Sequence, residues 1–577
     1  MSIVIGQMEV ASGDPARNKN AMLQMIGRAK EMQADLLVFP EACLSGLFLG
    51  ENFCRRGFFE DCQAFCREVA QTAQGLAVVF GVVEAAEGKW RNSVYLAADG
   101  QLQRLQAPMG DSFAPGYYQD FLPAAEGKIY TLSIDGKDCR IGFLTGDWRG
   151  KTLPYAANDL DLLIHMALEP LLLDNRALQP AVEGRPFLRV NGAGLLPRGK
   201  HNYLYSGGSY YMDAEKRITH RAQFLQSDIL DCRGAASAPL EAIPEDAALA
   251  QALTWGVRLF CRHIGVGQAV IGISGGIDSA LAACVYSRAL GPENVLLVSM
   301  PSQYNSELTQ EYAYRMSQGL QTDYVCLPIQ KQVDYIRDLF REKQGISAAG
   351  EPLSFHLDGF AMENVQARER TRLLAAISAA RKAIFSNNGN KAELSVGYCT
   401  FYGDLAGAFA AAADLWKFQV YQAARYMQTL YPQAPLAEIA ALRPSAELSP
   451  NQDVTKGMGD PLRYAYHDHL LRGWVEKGLE PGDVLAAYRQ GRLAVLLGCD
   501  AAATEGLFPT DEAFIEDLQY WWRCYNGSGV AKRMQAPPML ALTRRPLGGA
   551  APETQGAAYL SRQFLEEKRQ LLGGDAL

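Results

Sequence analysis

Three short stretches of this chain set chemistry-bearing side chains beside predicted bends or helix faces. The first is VIGISGGIDSA, residues 270–280. Its apolar residues up to Ile273 read as a buried strand, Ser274, Gly275 and Gly276 as a sharp turn, and Asp278 with Ser279 as the opening of a helix. Two glycines let main-chain N–H groups approach an anion closely, and a helix N-terminus adds positive potential. The lysine that closes a Walker loop is absent, so this is a different kind of phosphate cradle. The second stretch is ENVQARER, 363–370, where Asn364 and Arg368 stand four apart and share a helix face. The third is ADLLVFPEACLSG, 34–46, which leaves Glu41 at the end of a strand.

The elements that must position these residues fall into two blocks. Residues 1–235 carry the apolar runs SIVIGQM, DLLVFP, LAVVFGVV, SVYLAA, RIGFL and LDLLIHMAL, with helical segments such as NKNAMLQMIGRAKEMQA between them. That alternation predicts a layered α/β domain. A small, acidic, proline-containing stretch, DCRGAASAPLEAIPEDAA, reads as a linker, placed at 236–248. From 249 to 577 the pattern restarts: a helix, the strand QAVIGI, the glycine bend, the helix DSALAACVYSRAL and the strand NVLLVSM. This is a βαβ unit, the signature of a doubly wound parallel sheet. MPSQYNSELT, 300–309, then follows the second strand at the end where such sheets bind nucleotides. The C-terminal part reads as helices with polar loops, and YLYSGGSYYMDA, 203–214, as a glycine turn without an anion role.

Bulk composition narrows the class. A chain of 577 residues exceeds one hydrophobic core, so two large domains or three small ones are expected. Its 48% hydrophobic and 20% charged content is ordinary for globular proteins, and a net charge of −8 argues against nucleic acid as the main partner. No apolar run is long enough for a membrane helix, and the first residues lack a secretory pattern. Twelve cysteines without CxxC spacing suggest reduced thiols and a cytoplasmic location.

The bend resembles the SGGxDS loop of the ATP pyrophosphatases, which hold the β- and γ-phosphates while the α-phosphate is attacked. Residues 363–404 sharpen this: they resemble the NAD+ synthetase family, whose patterns ENxQARxR, TGNKSE and GYxTxYGD recur here with small changes. DLWKFQVY (414–421), SAELSPNQD (445–453) and AKRMQAPP (531–538) extend the resemblance over 240–577. It implies that Ser274, Gly275, Gly276, Asp278, Ser279, Asn388 and Lys417 contact ATP, with Asn388 where the family usually has threonine. It implies that Asp278 and Glu393 hold Mg2+, and that Glu363, Asn364, Arg368, Glu393, Asp404 and Lys532 meet deamido-NAD. Two hard oxygen ligands plus phosphate oxygens suit magnesium. The implied reaction is ATP-dependent amidation through an acyl adenylate, in which protein groups position, neutralise charge and exclude water. A homo-oligomer, at least a dimer, is also implied. Two other readings remain: a different amide-forming ATP pyrophosphatase, and a non-catalytic nucleotide-binding paralogue.

In that family a front half resembling nitrilases (an α-β-β-α sandwich) hydrolyses glutamine, and ADLLVFPEACLSG resembles its first signature, with Glu41 as general base. The chemistry also requires a cysteine nucleophile and a lysine for the oxyanion. The segment resembling the cysteine elbow is RIGFLTGDW; aligned on Asp147 and Trp148, it puts Thr145 in the cysteine's place. The expected lysine segment falls near Gln106 and Pro108, and no lysine occurs between Lys89 and Lys128. Cys139 is expected to precede the strand, at the wrong end. The expectation is a degenerate amidase, with Glu41 as a structural carboxylate and ammonia, free or delivered by a separate protein, as nitrogen source. The alternative is an active glutamine-dependent enzyme with a thiol poised beside Glu41.

Overall fold

The computed structural model describes residues 2–86, 89–110, 126–173, 183–233, 244–342, 345–549 and 558–573. The chain divides into two compact units, Met1–Arg198 with Asn202–Ala242, and Gly199–His201 with Ile243–Leu577.

The first unit is built on two six-stranded sheets. In one, Ile3–Gln7, Leu36–Val38 and Ala77–Ala86 run parallel, flanked by antiparallel Asp228–Asp231, Lys89–Ala98 and Gln101–Leu105. In the other, Lys137–Thr145, Leu162–Ala167 and Phe187–Asn191 form the parallel centre. Alternate residues make the shared core: Ile3, Ile5, Leu36 and Val38 from the first sheet meet Ile141, Phe143, Ile164 and Val190 from the second. The intervening residues are buried too, which is why these strands read as continuous apolar runs. Pro15–Glu31 and Arg56–Thr72 are the long helices, each with one buried stripe. Trp148, Tyr155 and Leu160 pack with Leu144, Leu163 and Phe187, so the segment 148–160 covers part of the second sheet's outer face.

The second unit contains parallel strands in the order Met539–Ala541, Phe409–Ala410, Ile384–Asn387, Ala269–Gly272, Val295–Ser299, Asp323–Cys326. The chain winds outward on one side of Ala269–Gly272 through 295 and 323, then crosses to its other side at 384. Ala269–Gly272 and Ile384–Asn387 therefore flank the switch point, and a crevice opens beyond their carboxyl ends. The C-terminal helices Tyr464–Glu476, Pro481–Arg489, Asp511–Asn526 and Arg562–Leu572 close a second core around Trp416, Tyr466, Phe514 and Phe564.

One ionic cluster lies inside this unit. The Lys391 ammonium meets Asp414 at 2.8 Å and Glu476 at 3.0 Å, and donates to Thr543 Oγ1 at 2.8 Å. Asp414 also accepts from the Leu542 and Thr543 N–H groups, each at 2.7 Å. Burying such charges is tolerable only because every partner is in place.

The linker expectation needs one correction: residues 245–248 belong to the helix Glu245–Ile264, whose acidic Glu245 and Asp246 suit a helix start. Residues 236–243 lie outside the described residues. All twelve cysteines are free thiols, and among the described residues no helix is long and apolar enough to cross a membrane.

Candidate active site

The glycine bend sits at the switch point. The strand stops at Gly272, one residue earlier than the apolar run suggested, and the helix Ile277–Leu290 starts one residue before Asp278. Gly275 has φ +83°, and a Cβ there would run into the carbonyl oxygen of Thr309. Both facts demand glycine. Ser279 Oγ accepts from Ser274 N–H at 3.2 Å and donates to the Gly276 carbonyl at 3.0 Å, pinning the bend. No side chain caps the helix, which leaves its first amides for an anion.

Two cavities, of about 290 Å³ and 530 Å³, share Ser274, Asp278, Ser279, Asn305, Glu393 and Asp404 in their walls. The smaller extends along Met300, Arg370, Phe385 and Asn388, the larger along Glu363, Lys417, Arg443 and Lys532. At the common wall the Lys417 ammonium pairs with Asp278 Oδ2 and lies 4.8 Å from the centre of the Tyr464 ring. Asn390 bridges the two carboxylates: its side-chain amide donates to Asp278 Oδ1 at 3.1 Å, and it forms a capping box with Glu393 at the start of helix Lys391–Val396. Burial, then repulsion from Asp278, pushes the Glu393 carboxyl up to about 8. Burial works to lower the Lys417 pKa, but Asp278 and Glu393 outweigh it and raise the ammonium's pKa. Tyr464 OH lies 3.2 Å from both Glu393 Oε1 and Asp460 Oδ2, extending the network.

The other sequence-predicted residues divide. Asn388 ties the two switch strands, donating to the Gly272 carbonyl at 2.9 Å and accepting from Ser386 at 2.6 Å. Asp404 is raised to about 6 by burial, its Oδ1 accepting from Thr400 N–H at 2.5 Å. Lys532 donates to the carbonyls of Gly397 and Cys399 at 2.7 and 2.6 Å. Asn364 and Arg368 line neither cavity: they donate to the carbonyls of Phe360 and Phe401 at 2.8 and 3.0 Å. The stripe of helix Gly359–Arg381 that faces the cavities is instead Glu363, Ala367, Arg370 and Leu374, a neighbouring face at helical spacing. Arg370 escaped the sequence reading; burial lowers it to about 10, and it donates to Met300 O at 3.1 Å and Asn305 Oδ1 at 3.0 Å. Its signal was the run from Glu363 in steps of four, three and four, hidden by the charges around it. Asp460 and Tyr464 were missed too, being isolated polar residues without a local pattern.

The front unit's carboxylate is held differently. Glu41 is buried, with Oε1 accepting from Asn92 Nδ2 at 2.5 Å and Oε2 from Gly146 N–H at 3.2 Å. Burial raises its pKa to about 7 against these bonds. Thr145 ends the strand Lys137–Thr145, next to Gly146, and pairs through its backbone with Pro108 and Gly110. Among the described residues, neither a thiol nor an ammonium reaches the Glu41 oxygens. The Cys43 thiol points at the Gly81 carbonyl, 3.6 Å away, and burial pushes it up to about 12. Cys139 lies inside the strand rather than before it, in its third position, packed in the intersheet core. Residues 111–125, part of the span searched for the lysine, lie outside the described residues.

Comparison with known proteins agrees with this division. The sequence pattern of the NAD synthase family matches residues 249–494, and that of the carbon–nitrogen hydrolases matches residues 3–119. A glutamine-dependent NAD(+) synthetase of Synechocystis is 28% identical over 569 residues, covering 89% of this chain and 97% of its own. Its Thermotoga maritima counterpart is 25% identical, covering 84% and 90%. Among solved structures, a glutamine-dependent NAD(+) synthetase of Cytophaga hutchinsonii superposes with a TM-score of 0.73 at 17% identity, covering 99% of each chain. That of Acinetobacter baumannii, in complex with adenosine diphosphate, gives 0.65 at 21% identity, covering 96% and 98%. With a hydrolase-type sandwich at the front of the sequence and a glycine-bend parallel sheet after it, the chain carries a carbon–nitrogen hydrolase segment and an NAD synthase segment, the pairing found in the glutamine-dependent NAD(+) synthetases it resembles.

Proposed function

We propose that the rear unit amidates deamido-NAD to NAD at the expense of ATP, with ammonia as the direct nitrogen source. The observation that carries this reading is the convergence of Asp278, Glu393 and the glycine bend on the wall common to two cavities, with Lys417 paired to Asp278. The smaller cavity would take the adenosine of ATP and the larger the dinucleotide. The uncapped amides after Gly276 and the Lys417 ammonium would hold the β- and γ-phosphates. A nicotinate carboxylate oxygen then forms a bond to the α-phosphorus, and the bond to pyrophosphate breaks. Ammonia adds to the acyl carbon of the adenylate, loses a proton, and AMP leaves. The protein's part is to align the reactants, neutralise the departing charge and keep water from the mixed anhydride.

Asp278 and Glu393 suit a magnesium ion. They are two hard oxygen donors, Glu393 is raised by burial and by the neighbouring carboxylate, and magnesium takes one or two carboxylates plus phosphate oxygens. When bound, the ion supplies charge neutralisation on the triphosphate. Removing it with a chelator abolishes turnover on this reading.

The front unit, in this proposal, does not hydrolyse glutamine, because Glu41 is bonded to Asn92 and Gly146 and Thr145 replaces the thiol. A second reading, glutamine-fed synthesis, is favoured by the names of the curated relatives. The deciding measurement is NAD formation from deamido-NAD and ATP with ammonium or glutamine as sole nitrogen source. Comparable rates with the two would overturn the ammonia reading. We also infer a cytoplasmic homo-oligomer, consistent with exposed Tyr335, Ile346, Phe355 and Phe360 in the rear unit.

A further inference from the structure

We propose that Glu447 is a positioning residue that ties the wall of the larger cavity to the bend cradling the triphosphate, so that the two substrates sense one another. The inference rests on the functional reading above. Glu447 is buried and adopts φ +46°, a left-handed conformation that side chains other than glycine's rarely adopt. Such a conformation persists where surrounding contacts over-determine it. Here Oε1 accepts from Ser306 N–H at 3.2 Å, and Oε2 accepts from Thr309 Oγ1 at 2.7 Å and from Asn305 Nδ2 at 3.4 Å.

These three donors open the helix Glu307–Leu320, whose N-cap is Ser306, so the carboxylate occupies the positive end of that helix. The first turn of the same helix carries the Thr309 carbonyl against which Gly275 bends. Asn305, the third donor, lines both cavities and receives Arg370. On either side of Glu447, Ala446 and Leu448 also line both cavities. Ala446 is fixed by Asp460 at 3.0 Å and Leu448 by Gln452 at 2.8 Å. A displacement of Glu447 therefore reaches the phosphate bend through Thr309 and the dinucleotide wall through its own chain neighbours. Convergence of three donors calls for a group that only accepts, which a carboxylate is and a carboxamide is not.

The test uses the full chain, saturating ammonium, and steady-state kinetics in ATP and deamido-NAD. Thr309→Val removes the hydroxyl donor at nearly constant shape, Thr309→Ser keeps it, and Glu447→Gln removes the charge. We expect Thr309→Val and Glu447→Gln each to raise KM for ATP about tenfold and KM for deamido-NAD at least about threefold, with kcat changed less than about twofold. Thr309→Ser should stay within about twofold of the parent, and the double variant should be no worse than the worse single one. KM values unchanged for both substrates, a loss confined to kcat, failure of Thr309→Ser to rescue, or multiplying effects in the double variant would each overturn the proposal. If Glu447→Gln does not fold, the two Thr309 variants decide alone. If the parent shows no turnover, the functional reading fails separately, and calorimetric titration with α,β-methylene-ATP takes over: about tenfold weaker binding by Thr309→Val supports the tie, and equal or absent binding in the parent ends it.

Discussion

Glu41, buried, and Glu393, half-buried, both sit just beyond parallel strands, and the groups around them differ. Burial raises both, Glu41 to about 7 and Glu393 to about 8. Around Glu393 stand a second carboxylate and a lysine at the wall of two cavities, an arrangement that remains incomplete without further charge. The Glu41 oxygens accept from the neutral amides of Asn92 and Gly146, and the like-charged Glu169 adds to the effect of burial, with no lysine paired to either carboxylate among the described ion pairs. The contrast teaches that a raised carboxyl alone does not mark a working site; what matters is whether its partners leave chemistry for a substrate to complete.

Four experiments would break or sharpen this contrast. The largest effect is expected from Lys417→Met, which removes the ammonium from Asp278: deamido-NAD-dependent pyrophosphate release should fall on the order of 1,000-fold. Retention of a tenth of the rate would detach Lys417 from the chemistry. Next comes Gly275→Ala, which meets both the left-handed φ and the Thr309 carbonyl; kcat/KM for ATP should drop about 100-fold while the front unit's melting is untouched.

In the front unit the expected effects are smaller. The Glu41 carboxyl has a folded pKa raised from an ordinary 4.5 to about 7, so between those values the folded state holds the proton longer than the unfolded one. Stability is therefore lost as pH rises through that window, and it is unaffected below it. Glu41→Gln removes the titration, and the Asn92 amide, whose Oδ1 is unpartnered, can turn to accept from the new amide. Relative to the parent, that variant should gain about 3 kcal/mol between pH 4 and pH 8, measured as the difference in thermal or denaturant midpoints. A pH-independent difference would mean that Glu41 titrates alike in the folded and unfolded chain. Smallest of all is Thr145→Cys: on the proposed reading, in which the front unit also lacks an ammonium for the oxyanion, the glutamine-supported rate should remain below about 1% of the ammonium-supported rate. Recovery of glutamine use would show that one residue separates the front unit from a working amidase.

Much of the bend was legible because its parts are contiguous. SGGIDS joins the turn, the start of the helix and the carboxylate proposed to hold a metal within six residues, and the strand and helix around it differ from expectation by single residues. The face of helix Gly359–Arg381 was not legible, since Asn364–Arg368 and Glu363–Ala367–Arg370 are equally good helical stripes and only packing on Leu374 and Met300 chooses between them. Glu447, Asp460 and Tyr464 stood in or near recognisable segments, but their partners lie up to 142 residues away in Asn305, Ser306 and Glu393. No spacing rule encodes such pairings. In front, the expectation of a missing thiol rests on one short alignment, whereas the hydrogen bonds that hold Glu41 depend on a strand neighbour, Asn92, that carries no motif.

The ionic cluster of Lys391, Asp414 and Thr543 has a practical corollary for anyone cutting this gene. The stretch that matches the NAD synthase pattern stops at residue 494, yet Asp414 draws its amide donors from Leu542 and Thr543. A shortened product ending at the pattern's edge would keep the Lys391–Asp414–Glu476 pairs but take from Asp414 both amide donors and from Lys391 its hydroxyl partner, and proteases rather than assays would be the first to detect it.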